Sequence, residues 1–216
     1  MENQKQEITF KIKRSWFDNK ERELIINPDF IQFENKNSLE NNPTRFEKED
    51  IISIRYGLVW IRGFEFTVGR EYQIFIQNRN KEIIKIHFKG FYGINKKKLS
   101  EAYSDMLSYI LDYYFQDILN EYVDKYDSGE ELNLGDVFIN KDYLKIKVAG
   151  LVKNQFKEIP WESVGVREYY SHFAVFSNKD AQNINRTFKY LDEWNSVLLL
   201  YLINAILKHK NKDKLS

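Results

Sequence analysis

Ile26-Asn27-Pro28-Asp29-Phe30-Ile31-Gln32-Phe33 returns later in the chain as Ile139-Asn140-Lys141-Asp142-Tyr143-Leu144-Lys145-Ile146, with three identities and every apolar position kept apolar. In both copies the Asx residues stand between runs that alternate apolar and polar. Short Asx side chains bond their own backbone and period 2 sends successive side chains to opposite faces, so each copy reads as a hairpin. The likeness continues in order. Phe46 and then Asp50-Ile51-Ile52-Ser53-Ile54 answer Phe156 and then Glu162-Ser163-Val164-Gly165-Val166, and Tyr72-Gln73-Ile74-Phe75 answers Phe173-Ala174-Val175-Phe176. Each half closes on an amphipathic helical pattern, so the repeated unit is a set of strands followed by one helix.

Working outward, Ile8, Phe10 and Ile12 alternate with Thr9, Lys11 and Lys13 as a half-buried strand. Further strands are predicted at 23–26, 30–33, 51–56, within 59–68, 71–77 and 82–88, about seven in all. The second half offers 136–139, 143–148, 155–159, 163–167, 173–176 and 184–188, which reads as a trimmed copy. A helix is expected over 99–126, with Ser100 as its N-cap and Ser128-Gly129 as its stop. Its apolar arc is wide enough to pack on the first module and bridge to the second. A second helix over 191–208 carries Trp194, Val197, Leu198, Tyr201, Leu202, Ala205 and Ile206 on its inner face. Leu199, Leu200, Ile203 and Leu207 are left over, an apolar surplus that meets the first module or forms an interface with another copy. The expected fold class is α+β: a first module over 1–127 that includes the bridging helix, and a shorter second module over 128–216, each a β-barrel or sheet closed by a C-terminal helix.

The 216 residues are 43% hydrophobic, 16% aromatic and 30% charged, a globular balance far from the composition of disordered chains. Lys and Arg total 33 against 32 Asp and Glu, so no global field draws the chain to nucleic acid. The absence of cysteine excludes disulfides, thiol catalysis and thiolate metal sites, and it fits a reducing cytoplasm. Nothing in the first residues resembles a secretory signal, so a cytoplasmic location is expected. The most apolar run, 197–207, is too short to span a bilayer, which leaves peripheral membrane contact as the only membrane role expected. His87, His172 and His209 are scattered, with no metal-ligand spacing, and nucleophile motifs such as Gly-x-Ser-x-Gly are missing. No enzyme activity, metal or cofactor is expected.

Residues 55–72 hold three glycines, five aromatics and three arginines. Aromatic faces, close backbone approach at glycine and the planar guanidinium fork together make a site for an anionic or aromatic ligand. On the alternative reading Gly57, Gly63 and Gly69 turn corners while the aromatics fill the first core. Lys96-Lys97-Lys98 falls just before the predicted first helix, where the macrodipole disfavours cations. A phosphate or lipid head group accounts for it; so does a solvated charge run. The candidate ligand residues are therefore Trp60, Arg62, Arg70, Lys96, Lys97 and Lys98, and the candidate interface residues are Leu199, Leu200, Ile203 and Leu207.

Ile139-Asn140-x-Asp142-Tyr143-Leu144-x-Ile146, then Ile159-Pro160-Trp161-Glu162-Ser163-Val164, then a helical segment with Trp194, together resemble the bacterial pleckstrin-homology-like (PH-like) families in tandem form. These are packing motifs, and the resemblance implies a fold and carries no catalytic residue. In the best-known members basic residues near the first hairpin hold phosphoinositides, and Lys11, Lys13 and Arg14 occupy a similar place here. The resulting expectation is a non-enzymatic interaction or scaffold protein that binds a protein partner or itself. The alternative is a binder of a small anionic ligand or lipid head group through the aromatic and arginine cluster of the first module.

Overall fold

The structure, a computed structural model, describes residues 6–15, 17–34, 43–148 and 155–213. It is α+β, and its chain divides into two compact units, Met1–Gln116 and Asp117–Ser216. In the first unit β1 (Ile8–Ile12), β2 (Arg22–Ile26), β3 (Phe30–Phe33) and β4 (Thr44–Glu47) form an antiparallel sheet in chain order. A single 3-10 turn, Lys48–Asp50, leads to a second antiparallel sheet of β5 (Ile51–Gly63), β6 (Phe66–Asn78) and β7 (Ile83–Phe91). Helix α1 (Lys96–Ile110) continues through a π-helical stretch, Leu111–Phe115, into α2 (Gln116–Asp127). The second unit repeats this order: β8 (Leu132–Leu134), β9 (Val137–Ile139), β10 (Tyr143–Val148) and β11 (Gln155–Pro160), a 3-10 turn at Trp161–Ser163, then β12 (Val164–Glu168), β13 (His172–Ser177) and β14 (Asn185–Lys189), and last α3 (Ser196–Asp213). Among the described residues all four sheets are open; none closes into a barrel.

The duplication extends to individual hydrogen bonds. Asn27 Oδ1 accepts from the Asp29 amide at 3.0 Å and Asn140 Oδ1 from the Asp142 amide at 2.9 Å, the same Asx turn twice. The Asp29 carbonyl accepts from the Lys48 amide at 2.8 Å and the Asp142 carbonyl from the Trp161 amide at 3.4 Å. Both helices that follow the three-stranded sheets start from a left-handed asparagine, Asn95 at φ 54° and Asn195 at φ 58°, whose carbonyls accept from the amides of Leu99 at 2.9 Å and Leu199 at 3.0 Å.

Each core is built by period-2 burial. Leu24, Ile26, Ile31, Phe33, Tyr72, Ile74 and Ile76 point inward in the first unit, and Ile139, Leu144, Ile146, Phe173, Val175 and Phe188 in the second. Aromatic rings lock the helix to its sheet in the first unit. Tyr72 stacks on Phe88 with centroids 5.0 Å apart, and Tyr103 on α1 packs 5.2 Å from Tyr72. The buried Tyr114 hydroxyl reaches the β2–β3 turn, with the carbonyl oxygens of Asn27 and Phe30 at 2.8 and 2.7 Å.

Several expectations are corrected. The second unit is no trimmed copy, because β8 supplies the strand the sequence pattern lacks. Its three residues are too few for an alternation to register. In the first unit no separate strand lies within 59–68: β5 and β6 are 13-residue partners that run through it and turn at Gly63–Phe66. The helix begins at Lys96, so Lys96, Lys97 and Lys98 form its first turn rather than preceding it. The last helix begins at Ser196, which leaves Trp194 in the turn before it. Leu199, Leu200 and Ile203 are buried and Leu207 is half-buried, so three of the four residues read as surplus lie inside, whereas Tyr201 and Ala205, expected on the inner face, are exposed.

Candidate functional site

The β5–β6 ladder runs from Ile51 opposite Asn78 to Gly63 opposite Phe66, whereas the β6–β7 ladder ends at Gly69 opposite Phe91. The last rungs of β5 and β6 therefore continue as a two-stranded ribbon past the third strand. Where the third strand stops, Trp60 and Arg70 face each other across β5 and β6, and the guanidinium carbon lies 4.7 Å from the indole centroid. This is a cation–π stack that holds Arg70 upright beside a half-exposed ring.

Two glycines let the surrounding elements close in. A Cβ on Gly69 would meet the Gly90 carbonyl oxygen at 2.5 Å, and one on Gly90 would meet a Leu99 methyl at 2.8 Å. β6 and β7 approach this closely because Gly69 carries no side chain, while Gly90 leaves room for the Leu99 methyl of α1. The chain then turns sharply through Tyr92, Gly93, Ile94 and Asn95, with Tyr92, Gly93 and Asn95 all at positive φ. The Ile94 amide donates to Phe91 O at 2.9 Å and the Lys96 amide to Gly93 O at 3.2 Å, which brings the start of α1 against the ribbon.

The result is a cavity of about 140 Å³ whose walls include Trp60, Arg70, Tyr92, Ile94, Lys96 and Leu99. A second cavity of about 170 Å³ shares Gly90, Ile94 and Leu99 with it and carries Lys13, Ser15 and Lys89. The sequence-nominated residues Trp60, Arg70 and Lys96 come together; Arg62, Lys97 and Lys98 are exposed at the same end of the unit but do not line the cavity. The alternative in which the aromatics of 55–72 fill the core fails at Trp60, Phe64 and Phe66, all exposed, while Tyr72 alone is fully buried. Gly57 and Gly69 lie within strands rather than at corners, and only Gly63 borders a turn.

Electrostatics favour an anion here. Among the described residues no carboxylate pairs with Arg62, Arg70, Lys96 or Lys98, whereas Lys97 pairs with Glu101 at 3.8 Å, Lys89 with Glu71 at 3.6 Å and Lys13 with Glu21 at 3.6 Å. The first turn of α1 holds no acidic residue and Asn95 gives it no side-chain cap. Three lysines at the positive end of the helix dipole repel one another, and a negative charge placed among them would lower that repulsion.

The corresponding junction of the second unit is chemically different. Its cavity of about 390 Å³ is lined by Asp136, Arg186, Phe188, Asp192, Glu193 and Trp194 among others. Here the charges neutralise one another: Arg186 meets Glu193 at 2.9 Å and Asp136 at 3.8 Å, Lys147 meets Asp136 at 3.2 Å and Lys189 meets Asp192 at 3.1 Å. His87, His172 and His209 line none of these three cavities. His87 binds Glu71 at 3.0 Å and His172 stacks on Tyr169 at 4.5 Å. Sequence reasoning missed the loop wall of the first cavity, Tyr92 and Ile94, and the cavity of the second unit. The available signal was Gly90 and Gly93 on either side of Phe91-Tyr92, with an asparagine following. A scan against protein-family models and a search of curated proteins find no match to this chain.

Proposed function

We propose that this chain is a non-enzymatic binding protein of tandem PH-like design, whose first unit captures a small anionic group in the cavity of Trp60, Arg70 and Lys96. The order of four strands, three strands and a closing helix in each unit supports the PH-like reading. One observation carries the binding reading: cations from β6 and the first turn of α1 share a cavity with an indole face, and neither has a carboxylate partner among the described residues. At about 140 Å³ the space is below the roughly 300 Å³ at which metabolite-sized pockets begin, so it suits a phosphate or carboxylate with an apolar or aromatic body lying against Trp60. Arg70 supplies the planar fork and Lys96 a point charge.

Phenyl phosphate is the probe, followed by calorimetry on the full chain. Phenyl phosphate binds and uncharged phenol does not. Arg70→Ala or Lys96→Ala weakens binding by about tenfold or more, the range of a charge-assisted hydrogen bond. Equal binding by wild type and Arg70→Ala would remove the reading. The scaffold reading ranks lower because the α3 residues it relied on, Leu199, Leu200 and Ile203, are buried.

A further inference from the structure

The largest of the three cavities lies wholly in the second unit and has no part in the anion site of the first. Its volume of about 390 Å³ falls within the roughly 300–1,000 Å³ of small-molecule pockets, whereas the cavities of about 140 and 170 Å³ fall below it. The β8–β9 turn brings Asp136 to it, β14 brings Arg186, and the segment before α3 brings Asp192, Glu193 and Trp194. Ser196, the first residue of α3, completes the polar lining. Two of these groups are donors that the fold leaves unused. Ser196 is only 4% exposed, and its hydroxyl has no hydrogen-bond partner among the described residues. A buried hydroxyl without an acceptor is costly, so an acceptor arriving in the cavity restores what folding removed. Arg186 Nη1 is likewise buried without a hydrogen bond, with Asp136 Oδ2 3.8 Å away. The first turn of α3 holds no acidic residue, so no side chain of that turn offsets the positive end of its dipole. These three features ask for a carboxylate.

The acidic side chains offer the complement. Their ion pairs fall on one oxygen each: Lys147 and Arg186 on Asp136 Oδ2, Arg186 on Glu193 Oε2, and Lys189 on Asp192 Oδ2. The other oxygen of each carboxylate accepts no hydrogen bond among the described residues, which leaves three acceptors open to an ammonium group. Asp136, Asp192 and Glu193 are matched in number by Arg186, Lys147 and Lys189, so the site as a whole favours neither a net cation nor a net anion. Such a balance suits a ligand that carries one charge of each sign. We infer that this cavity binds a zwitterionic α-amino acid, its carboxylate at Ser196 and Arg186, its ammonium at the acidic side chains and its own side chain against Trp194.

Calorimetry on the full chain tests it with L-phenylalanine, whose ring suits Trp194. L-phenylalanine binds, while 3-phenylpropionate, which lacks the ammonium, and phenethylamine, which lacks the carboxylate, bind at least about tenfold more weakly. Ser196→Ala weakens L-phenylalanine binding about tenfold and leaves the melting transition of the free chain unchanged or higher, because the hydroxyl it removes has no partner there. Asp192→Asn, at an exposed carboxylate, weakens binding about fivefold without lowering the melt. Absence of L-phenylalanine binding, equal binding of either analogue, or wild-type affinity in either variant overturns the assignment. A lowered melt in Ser196→Ala does so too, since the hydroxyl would then serve the fold. Phenyl phosphate binding by the first unit is the same in both variants and in wild type, so the two sites stand or fail separately.

Discussion

His87 shows how a single residue makes the first unit sensitive to pH. Its imidazole is held below the ordinary histidine range, first by burial and then by the nearby Arg14 guanidinium, which together outweigh the hydrogen bond to Glu71. Nδ1–H donates to Glu71 Oε1 at 3.0 Å, and the ring is neutral at neutral pH. Because the folded pKa lies below the unfolded value, the unfolded chain takes up its proton first as the pH falls. Stability is therefore full above about pH 6.5 and declines as the pH drops from there through the lowered folded pKa. Urea midpoints measured across that window fall for wild type. His87→Gln, which keeps an N–H for Glu71 and cannot titrate, flattens the slope. An equal slope in both proteins would assign the pH dependence to the carboxylates.

At the scale of elements, close strand approach decides the site. Gly69→Ala drives a methyl against the Gly90 carbonyl oxygen at 2.5 Å and Phe91 Cδ1 at 2.9 Å, so β6 and β7 must separate. We expect a loss of about 1–3 kcal/mol in chemical denaturation and, because Gly69 and Gly90 line the cavity, loss of phenyl phosphate binding. Elements written in local chemistry were legible in the sequence. The paired Asx turns at Asn27 and Asn140 needed only neighbouring residues to form, and both hairpins fall where the alternation places them. Elements that depend on distant partners were not. Gly57 and Gly63 read as breaks, yet β5 continues through one to the other because β6 pairs with it along its length. Ser100 read as the N-cap of a helix from 99, but the left-handed Asn95 precedes a helix that begins at Lys96. Trp60, Arg70 and Lys96 were nominated from composition alone. Tyr92 and Ile94 escaped because only the turn between β7 and α1 brings them to the same cavity.

Across the molecule, the question is which exposed hydrophobic surface is available for use. The sequence places its greatest apolar density in the last helix, and a helix apolar all round is either buried all round or covered by a partner. Leu199 and Leu200 at 3% exposure and Ile203 at 0% give the first answer. The most exposed of the large side chains sit elsewhere, among them Phe64, Phe66 and Tyr92 in the first unit and Tyr170 in the second, while α3 itself leaves Tyr201 43% exposed. Substitutions at the two kinds of position therefore separate. Leu200→Asp places a charge in a filled core and costs at least about 4 kcal/mol, so the cooperative melt followed by circular dichroism collapses. Phe64→Ser with Phe66→Ser changes stability by less than about 0.5 kcal/mol, since solvent-exposed rings leave no cavity behind. Size-exclusion chromatography with light scattering completes the comparison. A Leu200→Asp protein that kept its melt and changed only its mass would place α3 in an interface between copies. A collapsed melt places Leu200 in the core, as its burial predicts.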